Sequence, residues 1–132
     1  MTPNERVVAA AFAMVGVPFR LHGRSVAHGV DCVGLVAACL DAAGVRPDLP
    51  NGYRLRGGDA AQAVRLAAAL KLNACSGNRP GSIVAFLPGP RQLHLAIRVE
   101  SGIVHADAGL RRVVLRPGRP DWPVIGAWTV ER

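Results

Sequence analysis

The order of apolar and polar positions divides the chain in two. Over the first half, apolar residues recur every three or four positions; from Ser82 onward they alternate or gather in short β-branched runs. The first helical stretch opens at Thr2-Pro3-Asn4-Glu5. Thr2 can cap it, Pro3 suits the first helical position, and Glu5 completes a capping box. Val7, Val8, Ala11, Phe12 and Val15 follow at helical spacing, and Gly16 and Pro18 end the run. Phe19–Val30 reads as a loop rich in glycine and small polar groups. A second helix is predicted over Cys32–Ala43, with Asp31 as N-cap and Gly44 as its stop. Val45–Gly58 reads as a connection carrying proline and glycine. Asp59 then opens a third helix to about Asn73, with a box-like partner at Gln62.

The second half predicts strands over Ile83–Leu87, His94–Glu100, Ile103–Ala106, Arg112–Leu115 and Ile125–Val130. Pro88-Gly89-Pro90 separates the first two, and Glu100-Ser101-Gly102 reads as a tight hairpin turn. Helices first and an antiparallel sheet second make an α+β fold. With 132 residues and no repeat, low-complexity segment or linker, one domain over 1–132 is expected.

Composition narrows the function classes. Half of the residues are hydrophobic, which argues against disorder and supplies a core without metals or disulfides. Sixteen Lys and Arg against nine Asp and Glu give a charge of +7, and Lys71 is the single lysine. That balance suits an anionic partner (nucleic acid, a lipid surface or an acidic polymer such as a cell wall), or simply a soluble basic surface. The arginines have no aromatic residues interleaved and no zinc-finger spacing accompanies them, which argues against a nucleic-acid module. The apolar stretch Val7–Val17 is too short to span a membrane. Glu5 and a lone Arg6 make a poor basic region for a signal peptide, so the stretch reads as a folded helix. Cys32, Cys39 and Cys75 are odd in number and form no CxxC. Together with His22 or His28 they lack a recognisable ligand spacing, so neither a metal nor another cofactor is expected.

Three elements can carry chemistry. Cys32 lies in the first helical turn after Asp31, where unpaired N–H groups and the helix dipole favour a thiolate and can stabilise an oxyanion. Gly34 leaves space beside it for a substrate backbone. His94 opens a strand on which Leu95, Ile97 and Val99 share one face and His94, Ala96 and Arg98 the other. It can project onto the Cys32 helix and serve as general base. His105, on the next strand, can bind the other nitrogen of the His94 ring and fix its tautomer; Asp107 is the second candidate for that role. Taken singly, Cys32 also reads as a small buried hydrophobe and each histidine as a polar strand residue. In the preceding loop, His22 and His28 can line a cleft, and Arg20 and Arg24 can meet a substrate carboxylate.

Together these elements resemble the NlpC-type cell-wall peptidases, a branch of the papain-like cysteine peptidases. The resemblance runs through Pro18-Phe19, Gly23, Asp31-Cys32-Val33-Gly34-Leu35-Val36, Gly81-Ser82-Ile83-Val84-Ala85-Phe86, His94-Leu95-Ala96-Ile97-Arg98 and Val104-His105-Ala106, nearly the whole chain. It implies a papain-like fold with a nucleophile helix on an antiparallel sheet. It also implies Cys32 as nucleophile, His94 as base and His105 as third member, with Phe19, Arg20, His22, Asp31 and Gly34 as accessory or substrate-binding positions. The implied substrate is peptidoglycan stem peptide, cut beside D-glutamyl residues, often before diaminopimelate. Phe19 replaces a tyrosine of the family, His22 a glycine, Val33 a serine and Ser82 an aspartate. A short solitary domain is similar to the phage-tail and prophage versions. Action at the cell wall, delivered without a classical signal and with tail-assembly proteins as partners, is therefore the expectation; a cytoplasmic location is the alternative. A weakly active structural component and another acyl-transfer chemistry on the same scaffold remain open.

Overall fold

A computed structural model describes residues 1–45 and 60–131. Helix α1 spans Pro3–Met14 behind the expected capping box: the Thr2 hydroxyl accepts the Glu5 N–H, and the Glu5 carboxylate accepts the Thr2 N–H. Helix α2 spans Cys32–Ala42. Gly44, at φ +83°, closes it as the Val45 N–H reaches back to the Leu40 carbonyl. Helix α3 is described over Ala60–Ala69. Its proposed cap at Asp59, and the Val45–Gly58 connection beyond Val45, lie outside the described residues.

The third helix stops short of its predicted end near Asn73. Lys71 takes a left-handed φ of 58°, with Lys71 N–H on the Ala68 carbonyl and Leu72 N–H on that of Ala67. This is a glycine-type helix stop made without glycine, so the composition carries no sign of it. The chain then runs straight into a two-residue strand, β3 (Asn73–Ala74), which the sequence does not predict. The Phe19–Val30 loop is likewise more ordered than expected: β1 (Arg24–Ser25) and β2 (Gly29–Val30) form a small antiparallel pair within it. Strands this short carry no periodicity to read.

The remaining strands fall within two residues of expectation: β4 (Ile83–Phe86), β5 (His94–Val99), β6 (Gly102–Asp107), β7 (Arg112–Pro117) and β8 (Val124–Thr129). With β3 they make one six-stranded sheet in the order β3-β8-β4-β5-β6-β7, antiparallel at every pairing. Residues 16–19 run along the outer edge of β7, where Gly16 and Phe19 donate to the Val113 and Arg111 carbonyls and Val113 donates to that of Val17. The otherwise open edge is thereby paired.

Alternation divides the sheet into two faces. Leu95, Ile97 and Val99 point to the helices and join Val7, Ala11, Leu35, Val36, Leu40 and Leu66 in the main core. Each fully buried Leu, Ile or Val contributes roughly 1.5–3 kcal/mol to the fold. The opposite face carries a smaller cluster of Val84, Phe86, Ala96, Ile103 and Ala127, partly covered by Cys75 and Trp122. Helix α2 lies across β5 and β6 with its N-terminus at the His94 end. This is the α+β arrangement expected.

Candidate active site

Cys32, His94 and His105 line one open cavity of about 890 Å³. Phe19, Leu21, Leu93 and Trp122 supply its apolar walls, and His22, Gln92 and Asp107 its other polar groups.

The helix wall is set by Asp31, which is completely buried. One carboxylate oxygen accepts the Gly34 N–H at 2.8 Å, as an N-cap should. The other accepts the His22 N–H at 2.8 Å, and Arg24 pairs with the group at 3.4 Å. Asp31 therefore ties the loop to the helix as well as capping it. His22 meets that carboxylate from a left-handed conformation, φ 60°.

Cys32 is 1% exposed at the cavity floor. Burial drives its thiol up to about 12, against the opposing Leu95 N–H; the Asp31 charge pushes the same way as burial, and the Val33 and Cys32 N–H groups oppose it. Burial thus works against the thiolate that a helix start favours, and it outweighs the N–H groups beside the sulfur. Among the described residues no hydrogen bond joins the sulfur to an imidazole. Burial holds the group as a thiol at neutral pH.

The sheet wall is more tightly knit. His94 Nε2 and His105 Nδ1 lie 2.9 Å apart, and the two rings cross at 88° with centroids 5.0 Å apart. Burial lowers the His94 imidazole to about 4; His105 adds to the depression and Asp107 opposes it. His105, 2% exposed, is also lowered, by burial first, with Asp107 raising it and Arg116 lowering it. Both rings are neutral near pH 7. Asp107 bonds neither ring: its Oδ1 accepts the Leu110 N–H at 3.0 Å, and it acts on the pair through charge.

Other expectations need correction. Gly34 opens no space for substrate: a Cβ there would run into the Gly23 carbonyl oxygen and lie 3.1 Å from Val30 Cβ, so this glycine lets the loop seat on α2. Arg20 is exposed and Arg24 is held by Asp31; neither lines the cavity. His28 lies away from it too, against the Ser25 hydroxyl. Among the described residues no lysine or arginine lines the cavity. Ser82 is buried, within 3.7 Å of the Cys75 sulfur. Phe19 lines the cavity, held by its N–H on the Arg111 carbonyl. Trp122 carried no signal in the sequence, since it lies between predicted strands and matches no motif. Among the described residues no three His, Cys, Asp or Glu side chains converge to hold a metal, and no helix is long and apolar enough to cross a membrane.

No protein-family model matches the chain, and no curated protein matches it. Solved structures do. NlpC1 from Trichomonas vaginalis superposes with a TM-score of 0.68 at 18% identity, over 97% of this chain and 45% of its own. The peptidoglycan hydrolase RipB from Mycobacterium tuberculosis gives 0.62 at 20% identity, over 97% and 64%. RipD from the same organism, described as a non-catalytic NlpC/p60 domain protein adapted to peptidoglycan binding, gives 0.63 at 18% identity over 98% of both chains. The chain thus spans less than half of NlpC1 and under two thirds of RipB, but nearly all of RipD. At these identities the shared property is the fold: a papain-like α+β domain of the NlpC/p60 kind.

Proposed function

We propose that the chain is a cysteine hydrolase acting on amide bonds of peptidoglycan peptides, with Cys32 as nucleophile, His94 as base and His105 as its orienting partner. The observation that carries this reading is the 2.9 Å bond between His94 Nε2 and His105 Nδ1 at the wall of the cavity floored by Cys32. Of the two tautomers that satisfy the bond, one has His94 Nε2–H donating to His105. That tautomer leaves His94 Nδ1, which has no other partner among the described residues, as a free lone pair.

The reaction begins from a neutral pair. As the sulfur–carbon bond forms at the substrate carbonyl, the thiol proton passes to His94 Nδ1. The N–H groups of Cys32 and Val33, beside the sulfur, are placed to meet the developing oxyanion. His94 then protonates the departing amine as the carbon–nitrogen bond breaks, leaving a thioester. A water then attacks the thioester, giving a proton to His94; the carbon–sulfur bond breaks, the carboxylic product leaves, and the sulfur takes the proton back from His94.

The likeness to RipB, a peptidoglycan hydrolase, supports the substrate class, and the +7 charge suits an anionic wall. The finer form of the proposal is cleavage between D-glutamate and diaminopimelate, outside the cytoplasm, by a protein delivered with a phage-tail-like assembly. Digestion of muropeptides tests the activity and the bond together. New products whose masses match that cleavage are expected from the wild type and none from Cys32→Ala; equal release by both, or by neither, overturns the hydrolase. Co-sedimentation with tail particles tests delivery, and its absence removes that part alone.

The buried thiol, unbonded to His94, favours a second reading: a non-catalytic peptidoglycan-binding domain, as RipD is described. Retained binding to wall sacculi with no product from the wild type would select it.

A further inference from the structure

Trp122 has no part in the chemistry above, yet its ring meets every aromatic group of the sheet wall. Its centroid lies 5.5 Å from that of His94 and 5.6 Å from that of His105, with interplanar angles of 88° and 76°. Phe86 meets it edge-on at 5.6 Å. The Arg116 guanidinium carbon sits 4.6 Å from the indole centroid. Behind the ring, the Pro123 carbonyl accepts the Leu87 N–H at 2.9 Å, anchoring this segment to the end of β4.

These separations are those of favourable edge-to-face pairs and of a cation–π contact. One indole contacts both members of a hydrogen-bonded ring pair. Phe86, the Leu87–Pro123 bond and the guanidinium hold that indole in place. A ring so placed occupies volume that water would otherwise fill beside the imidazoles. Water there competes for the proton shared between the two rings and solvates the imidazolium, so it disturbs both the tautomer and the charge of His94.

We propose that Trp122, clamped by Arg116, is a positioning residue: its indole keeps water off the His94–His105 hydrogen bond and fixes the mutual angle of the two rings. Its value to catalysis rests on the hydrolase reading, whereas its effect on the ring pair does not. Among the described residues, the titratable or charged groups that share the cavity with His94 are Cys32 from α2, His22 from the loop before it, and His105 and Asp107 from β6. Arg116 from β7 acts through the indole, and β4 presents the uncharged Phe86. Asp107 favours a charged His94 and His105 opposes it. Removing the indole admits water and leaves the Asp107 attraction in place, so the His94 midpoint rises.

The test is an NMR titration of the imidazole resonances in the whole protein without substrate. Trp122→Ala raises the His94 midpoint by about one unit. Trp122→Phe, which keeps a ring in place, recovers at least half of that shift. In the wild type the proton bridging the two rings exchanges slowly enough to be seen at low field. Arg116→Lys keeps the charge but loses the broad guanidinium over the indole, and it speeds that exchange. Because Arg116 is exposed, this variant keeps the measurement available even if Trp122→Ala does not fold. An unchanged His94 midpoint in folded Trp122→Ala overturns the proposal. So does a Phe variant as shifted as the Ala variant, or a bridging proton exchanging as fast in the wild type as in Arg116→Lys. If the wild type hydrolyses muropeptides, the acid limb of its kcat/KM profile moves up with the His94 midpoint in Trp122→Ala, and a fixed limb also overturns the proposal. A wild type that cuts nothing defeats the hydrolase and leaves the titrations to judge Trp122.

Discussion

The two walls of the cavity place their reactive groups by different means. On the sheet wall, side chain holds side chain: His94, His105, Trp122 and Phe86 form a continuous set of ring contacts, with one hydrogen bond at 2.9 Å. On the helix wall, backbone does the positioning. The Asp31 carboxylate caps α2 and grips the loop, Gly34 lets that loop close in, and the Cys32 sulfur is left among peptide N–H groups with no imidazole bonded to it. A base needs one lone pair aimed and one tautomer kept, which neighbouring rings can enforce. A nucleophile beside an oxyanion needs fixed amide donors, which a helix terminus supplies wherever the chain is capped.

Experiments on each wall break or sharpen this contrast. Cys32→Ala removes the single reactive atom of the helix wall; hydrolysis falls by about ten-thousand-fold or more, read as muropeptide turnover, while the melting curve stays cooperative. On the sheet wall, His94→Ala lowers kcat by about a hundred- to ten-thousand-fold. His105→Ala costs less, and His105→Asn, which retains a hydrogen-bonding group, recovers part of the loss. If His105→Ala proves as damaging as His94→Ala, the two rings do not divide the work as proposed.

Both walls rest neutral, which makes stability depend on pH in opposite directions. His94 titrates near 4 in the folded protein and near 6.5 as an ordinary imidazole. Its contribution is therefore complete above about 6.5 and lost as pH falls toward 4, on the order of 3 kcal/mol. Cys32 is raised from 9 to about 12, so its contribution holds below 9 and fades as pH climbs from 9 to 12. Denaturant melts across pH should show the acid loss in wild type and less of it in His94→Gln. The acid limb of kcat/KM should likewise lie near 4 rather than 6.5. The smallest effect belongs to the loop: Gly34→Ala forces a Cβ against the Gly23 carbonyl and destabilises by about 1–3 kcal/mol. Cavity chemistry is disturbed only as far as the loop moves, and an unchanged melting temperature would show that the loop does not rest on α2 as described.

Much of this was legible in the residues. The capping box at Thr2, the cap at Asp31 and the stop at Gly44 are local motifs, written in contiguous positions and satisfied by bonds within a few residues. Alternation separates the two faces of β5 but does not say which meets the helices: His94 was expected to project onto the Cys32 helix, whereas Leu95, Ile97 and Val99 pack there and the His94 face, with Ala96, lies on the other side of the sheet. Elements whose cause is not local escaped. Lys71 ends α3 in a conformation its side chain does not advertise, β3 exists because β8 runs beside it, and the two-residue pair in the Phe19–Val30 loop has no period. In the site, Asp31 showed its capping role but not its grip on His22, nine residues earlier in the chain. Gly34 was assigned space where the packing leaves none.

By itself, then, the sequence determined the α+β division, the helix ends around Cys32 and the candidates for chemistry, since spacing and capping act over one or two turns. Only the tertiary structure decided that two histidines eleven residues apart share a bond, that an unpredicted indole covers them, and that burial outweighs the backbone N–H groups at the thiol. The physical reason is range. Capping and periodicity are properties of neighbours in the chain, whereas desolvation and ring contacts are properties of neighbours in space.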